Sequence, residues 1–359
     1  AQHIQMRMTP HPACQMENNV PNVGFKTLPG CQHKYRENFL FLPTAGHKCK
    51  YFLTYRFRWT QFVYIESLKF SKLEIDLLVR YLQLHAEVTD VLVTGGEPLF
   101  MSTAVLRRNI EPLLHEELDH ITSIRIGTKS LSHWPYRFTT DRDADDLLRL
   151  FEEVRQSGRQ LALMAHFSHP RELRTGVAGE ALRRLRDTGA VVRCQAPLIR
   201  HINDSPDIWA EMWREQVRLG TIPYYLFVAR NTGPRSYFEV PLEKALQIFS
   251  DAVAQVSGLA RTVRGPIMSA APGKVLVDGM ATINGQKVVV LKMIQGRDPS
   301  WVNRVFFARY DPQATWLDQL EPAFGEREFF FERSLQGMAA DTWYPDWRGP
   351  RMPAQGRGS

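Results

Sequence analysis

Val88-Thr89-Asp90-Val91-Leu92-Val93-Thr94-Gly95-Gly96-Glu97-Pro98 is an apolar run of strand length that stops at a glycine pair and an acid. Residues 103–114 follow it with apolar positions every three or four, the spacing of a helix with one buried face. The same two patterns alternate in both directions along the chain. Strand-like runs stand at 39–42, 88–94, 121–128, 161–167, 191–199 and 222–228. Helical stretches stand near 71–86, 103–114, 144–156, 179–186, 207–219 and 242–256. Six βα units result.

Strands separated by helices pair in parallel through right-handed crossovers, which gives a doubly wound sheet or a barrel. Either architecture puts function at the C-terminal strand ends. The loops there, 95–97, 127–129, 166–169, 195–203 and 229–233, concentrate polar residues and glycine, which favours a barrel. The expected fold is therefore α/β, a partial (β/α)6 TIM-type barrel spanning 38–264. Residues 1–37 are rich in turn formers and read as a wrapping segment. Runs at 274–278 and 287–293 flank Gly285-Gln286 and read as a hairpin, and the aromatic stretch 301–331 reads as a cover on the same core. Hairpin and cover make up 265–348, and the Pro/Gly/Arg-rich 349–359 is expected to be disordered.

With 44% hydrophobic residues in 359, the chain can bury a full core. The formal charge of +7 would suit a polyanion, but arginines are scattered beside acids, as in Asp145-Asp146 with Arg149 and Glu152-Glu153 with Arg155. Such patterns are solvated helix faces, so no nucleic-acid partner is expected. No run approaches the roughly 20 apolar residues of a membrane helix, and the polar start lacks a signal-peptide core. A cytoplasmic location without a membrane partner is the default expectation. Cys14, Cys31, Cys49 and Cys194 form neither a CxxC pair nor a disulfide framework.

After the first strand the chain reads Gly46-His47-Lys48-Cys49-Lys50-Tyr51-Phe52-Leu53-Thr54-Tyr55-Arg56-Phe57-Arg58-Trp59. This resembles the CxxxCxxC cluster loop of radical S-adenosylmethionine (SAM) enzymes of the lysine 2,3-aminomutase family, whose last cysteine is followed by Phe-Arg. Thr94-Gly95-Gly96-Glu97-Pro98 resembles the family's SAM-binding turn, in which backbone and acid take the methionyl ammonium. Arg125 to Lys129, His166 to Pro170 and Gln195 to Asn203 resemble segments that line the SAM pocket. Ser257-Gly258-Leu259 and Ala271-Pro272-Gly273-Lys274 resemble the region that carries the lysine bound to pyridoxal phosphate (PLP). The resemblance runs from about residue 29 to 331. It implies SAM-binding roles for Phe57, Gly95, Gly96, Glu97, Thr128, Lys129, His166, Gln195 and Asn203 and a PLP role for Lys274; Arg56 is a SAM-binding candidate on its chemistry alone, and His166, Tyr55 and Lys129 are the catalytic candidates.

Two departures redirect the chemistry. Cys49 matches the first cluster cysteine, but Leu53 and Arg56 stand where the second and third should be. Iron–sulfur clusters are held by thiolates, leucine has no donor atom, and a guanidinium is a permanent cation. No iron–sulfur cluster is expected. A metal shared by Cys49 and His47 lacks nameable further ligands, so no metal site is expected either. The second departure is Ala229-Arg230-Asn231-Thr232-Gly233, with Ala270-Ala271 before Pro272, where relatives carry acids for a substrate ammonium. A lysine-like substrate is therefore not expected.

Arg56 suits either a forked grip on the SAM carboxylate or a space-filling role. Glu97 also suits the start of a helix, Lys274 a turn, and Cys49 an inert thiol. Three functions stay open: an enzyme using SAM as a polar electrophile on a small-molecule substrate, a non-catalytic SAM- or partner-binding barrel, and a PLP- and SAM-dependent enzyme of aminomutase type. The first leads. A homo-oligomer is compatible with each.

Overall fold

The computed structural model describes residues 19–43, 72–230 and 235–340. Among them, one sheet carries eleven strands. Strand β1 (Cys31–Tyr35) runs antiparallel to β2 (Asn38–Phe41) at one edge. Helix α1 (Lys72–Leu84) leads to β3 (Asp90–Val93), α2 (Thr103–Ile110) to β4 (Ser123–Thr128), and α3 (Ala144–Gln156) to β5 (Gln160–His166). Then α4 (Gly176–Asp187) leads to β6 (Val191–Leu198), α5 (Pro206–Arg218) to β7 (Ile222–Val228), and α6 (Leu242–Ala254) to β8 (Arg264–Ser269). Strands β2 to β8 lie side by side in chain order and all parallel.

The six expected strands are all present. The seventh, β8, was not foreseen, because Gly265-Pro266 reads as a break in a strand pattern. The glycine is there for closeness: a Cβ at Gly265 would sit 2.8 Å from both Cβ and O of Leu226 on β7. The expected hairpin is longer than the sequence runs. It comprises β9 (Gly273–Ile283) and β10 (Gln286–Gly296), antiparallel to each other and, through β9, to β8. Its turn residues Asn284 and Gly285 have φ of 50° and 77°, the left-handed pair of a two-residue hairpin. Strand β11 (Val305–Arg309) completes the sheet, and α7 (Glu332–Ala340) ends the described chain.

Successive strand side chains point to opposite faces. On the parallel strands, Phe39, Phe41, Val91, Val93, Ile124, Ile126, Leu161, Leu163, Val192 and Leu198 are fully or nearly fully buried in one apolar cluster. Helices fill its other side with Leu82, Leu106, Leu150, Phe151, Leu182, Trp209 and Trp213. Each large side chain so buried contributes about 1.5–3 kcal/mol. A second cluster, separate from the first, joins β8–β11 to the tail through Trp301, Phe306, Trp316, Phe329, Phe331 and Leu335, so the aromatic stretch builds a core of its own with the hairpin. Instead of merely wrapping the barrel, residues 31–35 form its edge strand.

The sheet curls strongly. Lys34 on β1 donates from Nζ to the Ala270 carbonyl at the β8–β9 turn, 2.7 Å away, and Arg297 after β10 donates to Asn19 Oδ1. Side chains thus bridge the first strand to the eighth, although no backbone ladder joins them among the described residues. The unburied face becomes the inside of a partial barrel.

Candidate functional site

The β3 strand stops at Thr94, and the chain turns at Gly95, whose φ of 149° is open to glycine and strained for other residues. That turn delivers Glu97, 0% exposed, to the C-terminal end of the sheet. Its Oε1 accepts the Thr128 hydroxyl at 2.6 Å and the Leu99 N–H at 3.3 Å, and its Oε2 accepts the Lys129 N–H at 2.7 Å. Sequence reasoning offered Glu97 for a ligand's ammonium; here the carboxylate also holds the β3 turn to the end of β4.

Lys129 is buried, and its Nζ lies 3.3 Å from the His166 carbonyl, 3.4 Å from Ser168 Oγ and 3.4 Å from Glu172 Oε1. Glu172 Oε2 accepts the Ser168 N–H at 2.8 Å, and His166 Nε2 is 3.0 Å from Ser168 Oγ. Lys129 and His166, two of the three catalytic candidates, thus share one hydrogen-bonded group. Ser168 and Glu172 were missed by sequence reasoning. The only available signal was their spacing of four across the turn that starts at Pro170. His169 instead caps the turn that follows, accepting the Arg171 N–H on Nδ1 at 3.2 Å.

Register sets the next row. His166 pairs with Gln195, and Gln195 with Tyr225, so three side chains cross the inner face at one level. Asn203 is fully buried and works on the loop itself. Its Oδ1 accepts the Ile199 N–H at 2.7 Å, and its Nδ2 donates to the carbonyls of Ser168 (3.0 Å) and Pro197 (3.1 Å).

Deeper inside, Arg125 donates to Asp90 Oδ1 and Asn38 Oδ1, each at 2.7 Å. Burial pushes the Asp90 carboxyl above its usual range despite that guanidinium. Lys274 reaches this layer from β9, with its Nζ 5.0 Å from the centre of the Tyr225 ring. Burial first, and the Arg125 charge second, hold its ammonium down at about 8. Tyr225 and Asp90 were also missed, because neither stands in a motif.

Tyr55, Arg56, Phe57, Cys49, Leu53, His47 and Cys14 lie outside the described residues, as do 231–234 of the sixth-strand loop and the 349–359 tail. Of the other thiols, Cys31 and Cys194 are buried in the helix-side core. Burial raises the Cys194 thiol to about 12, against the lowering effect of its 3.3 Å hydrogen bond to Thr221.

Among the described residues, no group of three or more His, Cys, Asp or Glu side chains could hold a metal ion. No helix among them is long and apolar enough to cross a membrane.

The chain matches no family model. Among solved structures it is similar to a radical SAM methyltransferase from Sphaerobacter thermophilus, at 17% identity and a TM-score of 0.36, over 51% of this chain and 54% of that one. It is also similar to Streptococcus suis SuiB bound to its precursor peptide SuiA, at 12% identity and a TM-score of 0.41, over 62% and 47%. Sequence relatives are nearer. A protein of Aquifex aeolicus provisionally named L-lysine 2,3-aminomutase is 30% identical over 318 residues, 88% of this chain and 79% of the relative. The L-lysine 2,3-aminomutase of Haemophilus influenzae is 28% identical over 243 residues, 66% and 68%. That of Bacillus subtilis is 28% identical over 233 residues, and the chain spans only 46% of its length. With an α/β sheet of parallel strands, a Gly-Gly-Glu turn at its C-terminal end and this extent of identity, the chain belongs to the lysine 2,3-aminomutase family of the radical SAM superfamily.

Proposed function

We propose that the chain binds SAM at the C-terminal strand ends and uses it in polar chemistry at the sulfonium, without an iron–sulfur cluster. The observation that carries this reading is the thiol inventory. Of four cysteines, Cys31 and Cys194 are buried in the apolar core that the sheet shares with the helices. Cys14 and Cys49 remain, one fewer than the three thiolates that leave an open iron for SAM. The donor set does not fit the cluster.

The residues that the resemblance gives to SAM supply its site in this reading. The Gly95-Gly96-Glu97 turn offers backbone and a carboxylate to the methionyl ammonium, and the segment from Gln195 to Asn203 borders the nucleoside. Arg56 takes the methionyl carboxylate in a forked pair, as its chemistry suits it to do. The sulfonium is already activated, so attack on a neighbouring carbon or elimination needs no electron. Positioning alone can supply on the order of 7–11 kcal/mol to such a step. His166, in contact with Ser168, and the Lys129–Glu172 pair are the groups suited to hold or move a proton there. Alkyl transfer, aminocarboxypropyl transfer, cyclisation and lysis of SAM all fit this arrangement.

The test is anaerobic reconstitution with iron and sulfide, followed by incubation with SAM and mass spectrometry of the products. A colourless protein that consumes SAM is the expected result. About four iron atoms per chain, the content of one such cluster, would overturn the reading. SAM bound and recovered unchanged would favour the non-catalytic alternative.

One observation favours a second reading. Lys274 is a buried amine held at about 8, so a sizeable fraction is neutral near physiological pH, which a nucleophilic lysine requires. PLP, when bound there, would supply an electron sink for amino-acid chemistry. The visible absorption band of a lysine Schiff base in protein purified with PLP would support it.

A further inference from the structure

The chain that follows β4 holds the loop after β3 in two places. At its start, Thr128 and Lys129 donate to the Glu97 carboxylate. Further on, Arg137 of the turn Pro135–Phe138 reaches the same loop. Its Nε donates to the Leu99 carbonyl at 2.9 Å, and its Nη2 to the Met101 carbonyl and to Thr103 Oγ1, each at 3.2 Å. Asp143 completes the arrangement. Its Oδ1 accepts from Nη1 at 2.8 Å and its Oδ2 from Nη2 at 3.3 Å, while Oδ2 also accepts the Thr103 N–H and hydroxyl at 2.7 and 2.8 Å.

One guanidinium plane therefore touches residues 99, 101 and 103, every second residue between Glu97 and α2. Leu99 links the two grips, since its N–H goes to Glu97 Oε1 and its carbonyl to Arg137. Net stability is a weak reason for such an arrangement. Arg137 is 3% exposed, and the desolvation of a buried charge pair offsets most of its attraction, so packed apolar residues could fill the same space as firmly. What the planar fork of donors supplies uniquely is a fixed spacing among several acceptors.

We propose that Arg137 is a positioning residue for SAM, fixing the 97–103 loop so that the Glu97 carboxylate stands where the methionyl ammonium binds. It acts through Glu97 and not by contact with SAM. The proposal rests on the reading that SAM binds at the Gly-Gly-Glu turn.

Two measurements on the full chain test it, with Arg137→Lys, which keeps the charge but not the fork, and the milder Asp143→Asn, both checked for folding by circular dichroism. The first needs no ligand. Hydrogen exchange at the Leu99 and Lys129 amides, the two that donate to Glu97, should quicken about tenfold in the variants, while Ile126 and Leu163 in the sheet core keep their protection. Unchanged exchange at the two amides would overturn the proposal, as would an equal rise in the core, the mark of a residue that only stabilises.

The second is a double-mutant cycle on SAM affinity by calorimetry. Arg137→Lys should weaken SAM about tenfold in the wild-type background and hardly at all beside Glu97→Gln, because the two residues act as one. It should also lose most of the wild type's preference for SAM over its 2-hydroxy analogue, which lacks the ammonium. Equal losses in both backgrounds, or a preference kept intact, would overturn the proposal. If SAM fails to bind the wild type while the exchange result holds, the hold of Arg137 on the Glu97 turn stands and the SAM reading falls.

Discussion

The Thr128 hydroxyl donates to Glu97 Oε1 at 2.6 Å, so that one buried carboxylate joins the turn after β3 to the end of β4. Its other oxygen accepts the Lys129 N–H. In Glu97→Gln, an amide NH2 must oppose one of these donors, whichever way it is turned. Leaving one buried donor unmatched costs about 1–3 kcal/mol. Urea denaturation should show a loss of that size in the absence of any ligand. An unchanged midpoint would show that the carboxylate serves a ligand and not the turn.

Lys274 makes stability depend on pH with a defined sign. Its folded value of about 8 lies below the ordinary lysine value of 10.5. Between the two, the unfolded chain binds a proton that the folded chain has released, so stability rises with pH across that window. Below about 8 the buried charge is a constant burden. Lys274→Met should therefore stabilise the protein more at pH 7 than at pH 10, as read from chemical denaturation at both. An equal effect at both values would place the amine in solvent.

Much of this architecture is legible in the sequence because its strands are bounded by clear punctuation. Val91-Leu92-Val93 before Gly95-Gly96 and Ile124 to Thr128 before Lys129 announce themselves as buried strands with polar ends. Strand β8 does not, since Gly265 is there for close approach to β7, a tertiary reason that no local pattern carries. The site divides the same way. Gly95, Glu97, Lys129 and His166 stand in motifs, whereas Tyr225 and Glu172 matter through register and through a turn. Lys34 is further removed still, because its relation to Ala270 exists only once the sheet has curled.

The thiol inventory predicts reactivity directly. Cys31 and Cys194 are buried, and the Cys194 thiol stays protonated far above neutrality, at about 12. The thiolate is the reacting form, so neither should react with an aromatic disulfide reagent in the native protein at pH 8. Both should react at once in denaturant. Peptide mapping that finds Cys194 labelled under native conditions would return it to the list of available metal ligands.

Asn203 is fully buried between the loops at the strand ends, and the chemistry of its amide can be tested one atom at a time. Its Oδ1 accepts from Ile199, its Nδ2 donates to the carbonyls of Ser168 and Pro197, and its own carbonyl accepts the Trp209 indole N–H at 2.7 Å. The side chain thereby ties the β5 loop to the β6 loop, while the backbone carbonyl of the same residue holds Trp209 of α5. Asn203→Ala removes the acceptor of the buried Ile199 N–H and the donor to the Ser168 and Pro197 carbonyls, at about 1–3 kcal/mol for each group left without a partner. Asn203→Asp keeps the acceptor but turns an oxygen against two carbonyl oxygens. Repulsion and burial must then raise the folded-state pKa of the new carboxyl above the ordinary aspartate value of about 3.9. The folded variant holds its proton where the unfolded chain has lost it, so its stability falls as pH rises through that interval. At pH 7 the aspartate variant should be less stable than the alanine variant, and the gap should narrow toward pH 4. A constant gap would mean that the loop opens to solvate the charge, and SAM affinity, measured alongside, should then be lost in the aspartate variant at every pH.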